Sequence, residues 1–155
     1  MYQRRDEDNQ YKETVVQIKR VSKKTKGGNS ISFTALVVVG DGQGMVGVAL
    51  GKAKDVSSAI GKGMRLAKKR FGKVALVGQT IAHPIEYKKK GARILLKPAR
   101  EGSGLVAGGP VRVVADAAGI KDLVAKMLGS RNRNANVWAT WEALTGLKAR
   151  QDDAE

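Results

Sequence analysis

The sequence has 155 residues, and 29 lysine and arginine side chains against 14 acidic ones give it a formal net charge of +15. With 42% apolar residues the chain can bury a core, which excludes a disordered basic tail. The lack of cysteine excludes disulfides and thiolate metal sites and fits a reduced, cytosolic location. No apolar run approaches the length of a membrane span and no N-terminal signal pattern occurs, so no membrane is expected. The charge predicts a polyanionic partner, most often nucleic acid.

Basic residues are concentrated in the first half of the chain. Residues 1–80 carry 16 basic and 6 acidic side chains, whereas residues 81–155 carry 13 and 8. The first half is therefore predicted to be the main polyanion-binding face. Residues 1–11 are polar and lack periodicity, which predicts a mobile arm, and the charged tail 151–155 is expected to be disordered.

The first ordered region is predicted to contain a sheet of three strands. β-branched residues over 14–21 indicate one strand, and the period-two alternation over 31–39 indicates a second. A glycine-containing turn at 41–44 leads to a return strand over 45–50. Between the first two strands, residues 22–30 form a predicted loop with three lysines and a pair of glycines.

An amphipathic helix is predicted from Asp55 to Phe71. Asp55 is a suitable N-cap, and Gly72 follows where a C-terminal glycine is expected. Phe71 is expected to meet Phe33 between the sheet and the helix. Side chains three or four apart predict a face that packs on the sheet: Val56, Ile60, Met64, Ala67 and Phe71. The opposite face is basic, with Lys54, Lys62, Arg65 and Lys69.

The sequence pattern changes near His83-Pro84, and we place a domain boundary close to these residues. The predicted elements of the second domain are a hairpin (85–97), a glycine-rich segment (101–109), a helix (110–119), a strand (122–128) and a helix from 132 or 134 to 147. The predicted domains are therefore 12–80 and 81–150.

Two clusters of basic residues are predicted to contact a nucleic-acid backbone. In the loop, lysine supplies charge and glycine lets the backbone approach phosphates closely. The helix has no acidic residue between Lys62 and Lys73, so pairing within the run cannot neutralise it. An ordinary solvated loop and a solvated helix face are the alternatives. The predicted RNA-binding residues are Lys19, Arg20, Ser22, Lys23, Lys24, Lys26, Gly27, Gly28, Lys52, Lys54, Lys62, Arg65, Lys68 and Lys69.

The residue patterns do not predict catalysis, a cofactor or a metal site. His83 is the only histidine, and no nucleophile or second ligand type lies near it in the sequence. The segment 101–109 has GxGxxxG spacing rather than GxGxxG, and the chain lacks GK[ST], which argues against a nucleotide loop. Trp141 is predicted to lie in the core with Val137 and Leu144, and Trp138 at the core edge.

Ordered blocks of the sequence resemble the bacterial small-subunit ribosomal protein S-five (S5) family. The blocks are Val21-Ser22-Lys23, Lys26-Gly27-Gly28, Ser32 to Leu36, Val38 to Gly42, Gly51-Lys52-Ala53, His83-Pro84, Pro98-Ala99, Glu101-Gly102, Ala107-Gly108-Gly109, Ala125-Lys126 and Gly129-Ser130. They keep the family's order from about residue 10 to residue 148. The chain departs from the family in a shorter charged tail and in Arg133, where proline is frequent.

The resemblance implies an α+β fold of two domains. The first is similar to a double-stranded-RNA-binding domain, with a three-stranded sheet and one helix, and the second is a two-layer α/β domain of the ribosomal S5 domain-2-like type. It also implies a structural constituent of the small ribosomal subunit in the cytoplasm. Such a protein is not an enzyme and needs no cofactor; it binds ribosomal RNA and supports assembly and translational accuracy.

The resemblance further implies particular neighbours. Ribosomal proteins S-four (S4) and S-eight (S8) are the implied protein partners, with Gly102, Ser103, Gly104 and Arg112 at the S4 contact. The loop from Ser22 to Gly28 is implied to lie near the mRNA path and the spectinomycin site. From composition alone, a free double-stranded-RNA-binding protein is the alternative function. A metabolite kinase is a more distant one, because the phosphate loop that it needs is missing from the sequence.

Overall fold

The computed structural model describes residues 2–4 and 11–147, which form an α+β fold. The first part contains β1 (Tyr2–Arg4), β2 (Lys12–Thr25), β3 (Gly28–Gly40), β4 (Met45–Ala53), α1 (Val56–Lys69) and β5 (Gly72–Lys73). The second contains β6 (Leu76–Val77), β7 (Thr80–Ile81), β8 (Ile85–Lys89), β9 (Ala92–Pro98), β10 (Leu105–Val106), α2 (Gly109–Ala118), β11 (Leu123–Leu128) and α3 (Arg133–Thr145).

The strands form three sheets in the described residues. The first has the order β1-β2-β3-β4-β5, and the three long strands in its middle are the three that the sequence predicts. The second has the order β10-β11-β9-β8, in which only the β10–β11 pair is parallel. A short β6–β7 ladder connects the two parts. The described helices are too short or too polar to cross a membrane.

β3 lies at the centre of the first sheet and is buried on both faces over residues 35–40. Side chains alternate along a strand, so each face of the sheet receives every second residue. Val37 and Val39 pack with α1, whereas Leu36 and Val38 pack with the C-terminal part of the chain. The sheet is therefore sandwiched between α1 and the C-terminal domain, which explains why this stretch is apolar at nearly every position.

The helix α1 begins as the sequence predicts. Asp55 is the N-cap, and its side chain accepts a hydrogen bond from the backbone N–H of Ser58 at 3.3 Å. Hydrogen bonds from Ser58 lower the pKa of Asp55, because they favour the ionised carboxylate. The predicted C-terminal end is wrong: Arg70 is the C-cap, and Gly72 belongs to β5.

The buried face of α1 also differs from the predicted one. Its fully buried residues are Ala59, Gly63 and Ala67, while the larger side chains of the predicted stripe are only partly buried. The helix lies unusually close to the sheet because two glycines of β4 face it. A Cβ added to Gly47 would lie 2.1 Å from the backbone oxygen of Ala67, and one added to Gly51 would lie 2.2 Å from that of Ala59.

In the C-terminal domain the predicted elements are present. The helix α2 ends at Gly119, which has a φ of 90° as expected for a C-terminal glycine. Asn132 caps α3 by accepting a hydrogen bond from the backbone N–H of Asn134 at 3.1 Å. Both helices pack on one face of the second sheet and on the first sheet, so a single core cluster contains residues from both domains.

Two further expectations are corrected by the structure, and a third lies outside the residues that it describes. Residues 2–4, assigned to a mobile arm, form β1, which pairs antiparallel with β2. Phe33 and Phe71 lie at opposite ends of the sheet, because Phe33 is paired with Ala53 whereas Phe71 lies against Gly47, six residues back along β4. The predicted disorder of 151–155 concerns residues outside those that the structure describes, as do positions 5–10.

Candidate RNA interface

The predicted basic loop is an extended β-hairpin. The β2–β3 ladder continues to the pair Thr25 and Gly28, with only Lys26 and Gly27 between the two strands. Gly28 has a φ of 130°, a conformation that glycine adopts most easily. Thr25 Oγ1 donates a hydrogen bond to the Gly28 carbonyl at 2.9 Å. The expectation of a loop over 22–30 is therefore wrong, because the turn takes only two residues.

The end of this hairpin projects beyond the rest of the sheet. The last β3–β4 pair joins Phe33 to Ala53, so residues 20–32 form a ribbon of two strands only. Residues 18–31 are all exposed. From Phe33 to the turn the ribbon extends by about 17 Å at a rise of about 3.4 Å per residue. We call residues 19–28 the basic hairpin.

Lysine and arginine side chains lie on both faces of the basic hairpin. Cross-strand partners share a face, so Arg20, opposite Phe33, faces the α1 side, whereas Lys19, opposite Thr34, faces the other side. Lys23 is opposite Ser30 and Lys24 is opposite Asn29. None of these cations has an acidic cross-strand partner, and none forms a salt bridge among the described residues. Their charge is therefore available to an external anion.

The remaining predicted RNA-binding residues lie on β4 and α1. All of the following are exposed: Lys52, Lys54, Lys62, Arg65 and Lys69. The N-terminal end of α1 is at the hairpin end of the sheet, because Ala59 packs near Gly51, whereas Ala67 packs near Gly47. The helix stripe thus starts beside the base of the basic hairpin and runs away from it.

Lys68 differs from the other cations of the helix. Its Nζ lies 2.8 Å from Oε1 of Glu13, a residue of β2 that is only 4% exposed. Lys68 Nζ also lies 5.8 Å from the ring centroid of Tyr11. Pairing within the run is still excluded, as the sequence indicates, but Glu13 of another element neutralises Lys68. No local signal predicts the pair, because its two members lie on separate elements.

The predicted protein interface lies in the C-terminal domain, on the loop before β10 and on α2. Gly102 and Gly104 have φ values of 86° and 75°, and the backbone N–H of Gly104 donates to Oδ1 of Asp122 at 2.9 Å. Asp122 is buried, so this bond fixes an otherwise exposed glycine loop. Ser103 is exposed beside it, and Arg112 is exposed in the first turn of α2.

A polar cluster joins β8 to α3. Glu142 accepts hydrogen bonds from the Tyr87 hydroxyl, at 2.6 Å, and from the Lys89 amine. Burial alone would raise the pKa of Glu142, but the hydrogen bonds from Lys89 and Tyr87 lower it overall. The hydrogen bond to Glu142 raises the pKa of Tyr87. The cluster uses its charges internally, which makes it a structural link rather than an RNA contact.

Among residues 2–4 and 11–147, no group of three acidic or histidine side chains is placed to hold a metal ion. Nδ1 of His83 lies 3.0 Å from the carbonyl oxygen of Pro84.

Comparison with protein-family models identifies both parts of the chain. Residues 11–75 match the model described as Ribosomal protein S5, N-terminal domain. Residues 87–155 match the model described as Ribosomal protein S5, C-terminal domain. The two matches cover most of the chain, in the order of the two domains.

Proposed function

Because the chain belongs to the ribosomal protein S5 family, it is a structural ribosomal protein that binds small-subunit ribosomal RNA, and we propose that the basic hairpin is its principal RNA contact. The family is not a family of enzymes, and its members also contact other ribosomal proteins. The proposal rests on one observation: the ribbon projects from the sheet, and the residues paired with its lysines on the opposite strand are uncharged.

The chemistry of the basic hairpin favours contact with phosphate and sugar over contact with base edges. Lysine is a flexible point charge with little geometric discrimination between bases. A ribbon with cations on both faces can lie between two RNA segments and neutralise both. A two-stranded hairpin without a core is only marginally stable alone, so RNA contact also orders it.

The test is the triple variant Lys23→Ala, Lys24→Ala, Lys26→Ala. Its binding to small-subunit ribosomal RNA transcribed in vitro is measured as a function of salt concentration. If the three lysines each neutralise one phosphate, the slope of log K against log salt becomes shallower by about 2 to 3. An unchanged slope refutes the hairpin as a phosphate contact.

A matched control removes three lysines from another surface. Lys97, Lys121 and Lys126 are exposed in the C-terminal domain. Alanine at these three positions changes the net charge by the same amount and should leave the salt slope close to that of the wild type. Equal effects of the two triple variants would mean that only net charge matters.

We propose that the exposed cations of α1, Lys62, Arg65 and Lys69, extend this RNA contact, together with Lys52 and Lys54 at the base of the hairpin. Lys68 contributes less, because Glu13 already neutralises it. We also propose that, in the assembled cytoplasmic ribosome, the basic hairpin lies near the mRNA path and the spectinomycin site. The protein supports subunit assembly through these contacts.

We further propose that the glycine loop at Gly102, Ser103 and Gly104, with Arg112, contacts S4, and that S8 is a second protein neighbour. Arg112 supports this because positive charge in the first turn of a helix is unfavourable unless an outside anion compensates it. A contact made in one arrangement of the subunit and lost in another would influence decoding accuracy.

The variant Arg112→Leu tests this role. Stop-codon readthrough should rise while RNA affinity stays close to that of the wild type. The measurements are readthrough and subunit assembly in cells that carry the variant. Wild-type readthrough with normal assembly would leave Arg112 as a solvated surface charge.

A further inference from the structure

Two adjoining clefts lie beside the N-terminus of α3, one at the boundary between the two domains and one within the C-terminal domain. One cleft, of about 130 Å³, is lined by Gln17, Lys19, Thr34, Leu36, Leu50 and Asn134. The other, of about 330 Å³, is lined by Lys89, Lys90, Asn132, Asn134, Ala135 and Trp138. Asn134 belongs to both, so the clefts meet at the first turn of α3.

The first cleft receives cations from the sheet. Lys19 of β2 and Lys52 of β4 are both paired with Thr34 of β3, one on each side, so all three side chains lie on the same face. This is the face that packs against the C-terminal domain, since it also carries Leu36. Lys19 lines the cleft, and Lys52 is exposed on the same face, on the other side of Thr34.

The second cleft receives cations from the C-terminal domain. Lys90 lines it, is exposed and forms no salt bridge among the described residues. Lys89 differs, because Glu142 already neutralises it. Arg133, which precedes Asn134 in the chain, is exposed and lines a third cleft with Val16, Gly109 and Pro110. No acidic side chain is among the described residues that line these three clefts.

Lys90 lies at the exposed tip of the hairpin turn between β8 and β9. It has a φ of 53° and is the only non-glycine residue with positive φ among those that the structure describes. A two-residue hairpin turn requires this conformation at its first residue, so the backbone follows from the β8–β9 pairing. Glycine would adopt the conformation with less strain, and lysine instead places a cation at the tip of the turn.

The side-chain Oδ1 of Asn134 is a second observation at the same place. It is buried without a hydrogen-bond partner in the described part of the chain. Buried polar atoms without a partner are rare in folded proteins, and this acceptor calls for a hydrogen-bond donor, which a ribose hydroxyl supplies and a phosphate oxygen does not. The backbone N–H groups at the start of α3 add a partial positive charge that favours an anion.

We propose that these clefts form one RNA-binding surface across the domain boundary, in which Lys19, Lys52, Lys90 and Arg133 hold successive phosphates of one RNA segment. We call these four residues with Asn134 the junction surface. The inference rests on the proposed function, because it takes ribosomal RNA as the ligand, but it assigns a contact outside the basic hairpin and the α1 stripe.

Another cleft of the C-terminal domain shows that this charge pattern is specific. It has a volume of about 410 Å³ and is lined by residues that include Glu101 and Asp122 but no lysine or arginine. Phosphate would be repelled there. Cation-lined and acid-lined clefts on the same domain thus distinguish an RNA-facing side from a side that an RNA backbone avoids.

The test is the double variant Lys90→Gln, Arg133→Gln in the full chain, measured for binding to in vitro transcribed small-subunit ribosomal RNA over a range of salt. The loss of two phosphate contacts should make the salt slope shallower by about 1.5 and weaken binding about tenfold near 0.1 M salt. The control Lys97→Gln, Lys126→Gln removes the same charge from the open face of the second sheet, opposite the helices. It should weaken binding by less than about twofold.

The single variant Lys90→Gly separates RNA binding from folding. It removes both the charge and the backbone strain, so its Tm should equal or exceed that of the wild type, whereas RNA affinity should fall about threefold. Reduced affinity together with reduced Tm would indicate a merely structural role and overturn the proposal.

Measurement of the hairpin triple variant in the same assay keeps the two proposals apart. If the hairpin variant loses salt slope and the junction double variant does not, the junction surface is refuted and the proposed function stands. If only the junction variant loses slope, the basic hairpin is refuted as the principal contact. Equal losses for the junction and control double variants would refute the junction surface, since net charge alone would explain them.

Discussion

Gly40 gives the sharpest test of how the two domains are joined. It is the last residue of β3 and is fully buried against α2. A Cβ added there would lie 2.0 Å from the backbone oxygen of Ala117 and 2.4 Å from its carbonyl carbon. The φ of Gly40 is not positive, so alanine adds no backbone strain and the substitution probes packing alone.

The size of the effect follows from this distance. Carbon and oxygen atoms in contact are separated by more than 3 Å, so α2 must retreat by about 1 Å or more. Overpacking of this kind costs about 1–3 kcal/mol, and a retreat also weakens the hydrogen bond from Gly42 N–H to the Ala117 carbonyl. We expect Gly40→Ala to lower the free energy of unfolding by about 3 kcal/mol, a large part of a typical total of about 5–15 kcal/mol.

Urea unfolding followed by tryptophan fluorescence and by circular dichroism measures this loss. Both tryptophans lie in α3, and Trp141 Nε1 donates a hydrogen bond to the Val46 carbonyl of β4 at 2.9 Å, so fluorescence reports on the junction of the two domains while circular dichroism reports on the whole chain. The control is Gly61→Ala, because Gly61 is exposed on α1 with nothing within 4 Å of an added Cβ. Alanine there should stabilise by about 0.5–1 kcal/mol. A loss below about 1 kcal/mol for Gly40→Ala would refute the close packing of α2 on β3.

Three further outcomes are expected. Glu142→Gln should lower the free energy of unfolding by about 1 kcal/mol at pH 7. The difference from the wild type should vanish on acidification, because a lowered pKa adds stability that is lost as the pH falls through that pKa. A difference that stays constant down to pH 3 in urea unfolding contradicts this. Glu13→Gln should free Lys68 and strengthen RNA binding in a low-salt filter assay, and weaker binding would mean that the pair positions the helix. The fragment 12–80 should associate on gel filtration, because without the C-terminal domain it exposes Leu36, Val38 and Val48; a monomeric, cooperatively folded fragment would contradict the shared core.

The sequence predicts the elements better than it predicts their contacts. Local signals identify the strands, the N-cap of α1 at Asp55 and the extent of α2 to within a residue at each end, because caps and turns depend on neighbouring residues. The buried face of α1 is predicted wrongly because apolar periodicity favours large side chains. In the structure the helix approaches through Gly63 and Ala67, since glycines of β4 face it. That match depends on strand register, which periodicity does not determine.

For the candidate site, too, the sequence predicts local features but not the contacts between distant elements. The cations of the basic hairpin are predicted correctly as exposed, because a run of lysines and glycines cannot be buried. The neutralisation of Lys68 by Glu13 is missed, because it joins two elements far apart in the chain. The clefts at Asn134 are missed for the same reason, since one forms where α3 meets the first sheet and the other where α3 meets the turn after β8.

The strand β3 connects the basic hairpin directly to the buried core of the protein. β3 continues without interruption from the turn of the basic hairpin to Gly40, where it contacts α2. One end of this strand has no core and is exposed on both faces, whereas the other end is buried on both faces. RNA contact at the hairpin therefore acts on a strand whose far end is held by both domains. An RNA bound to the hairpin and to the junction surface would contact both ends of β2 and β3 on the C-terminal side of the sheet. Ordering of the hairpin and binding of the two domains to RNA would then be coupled.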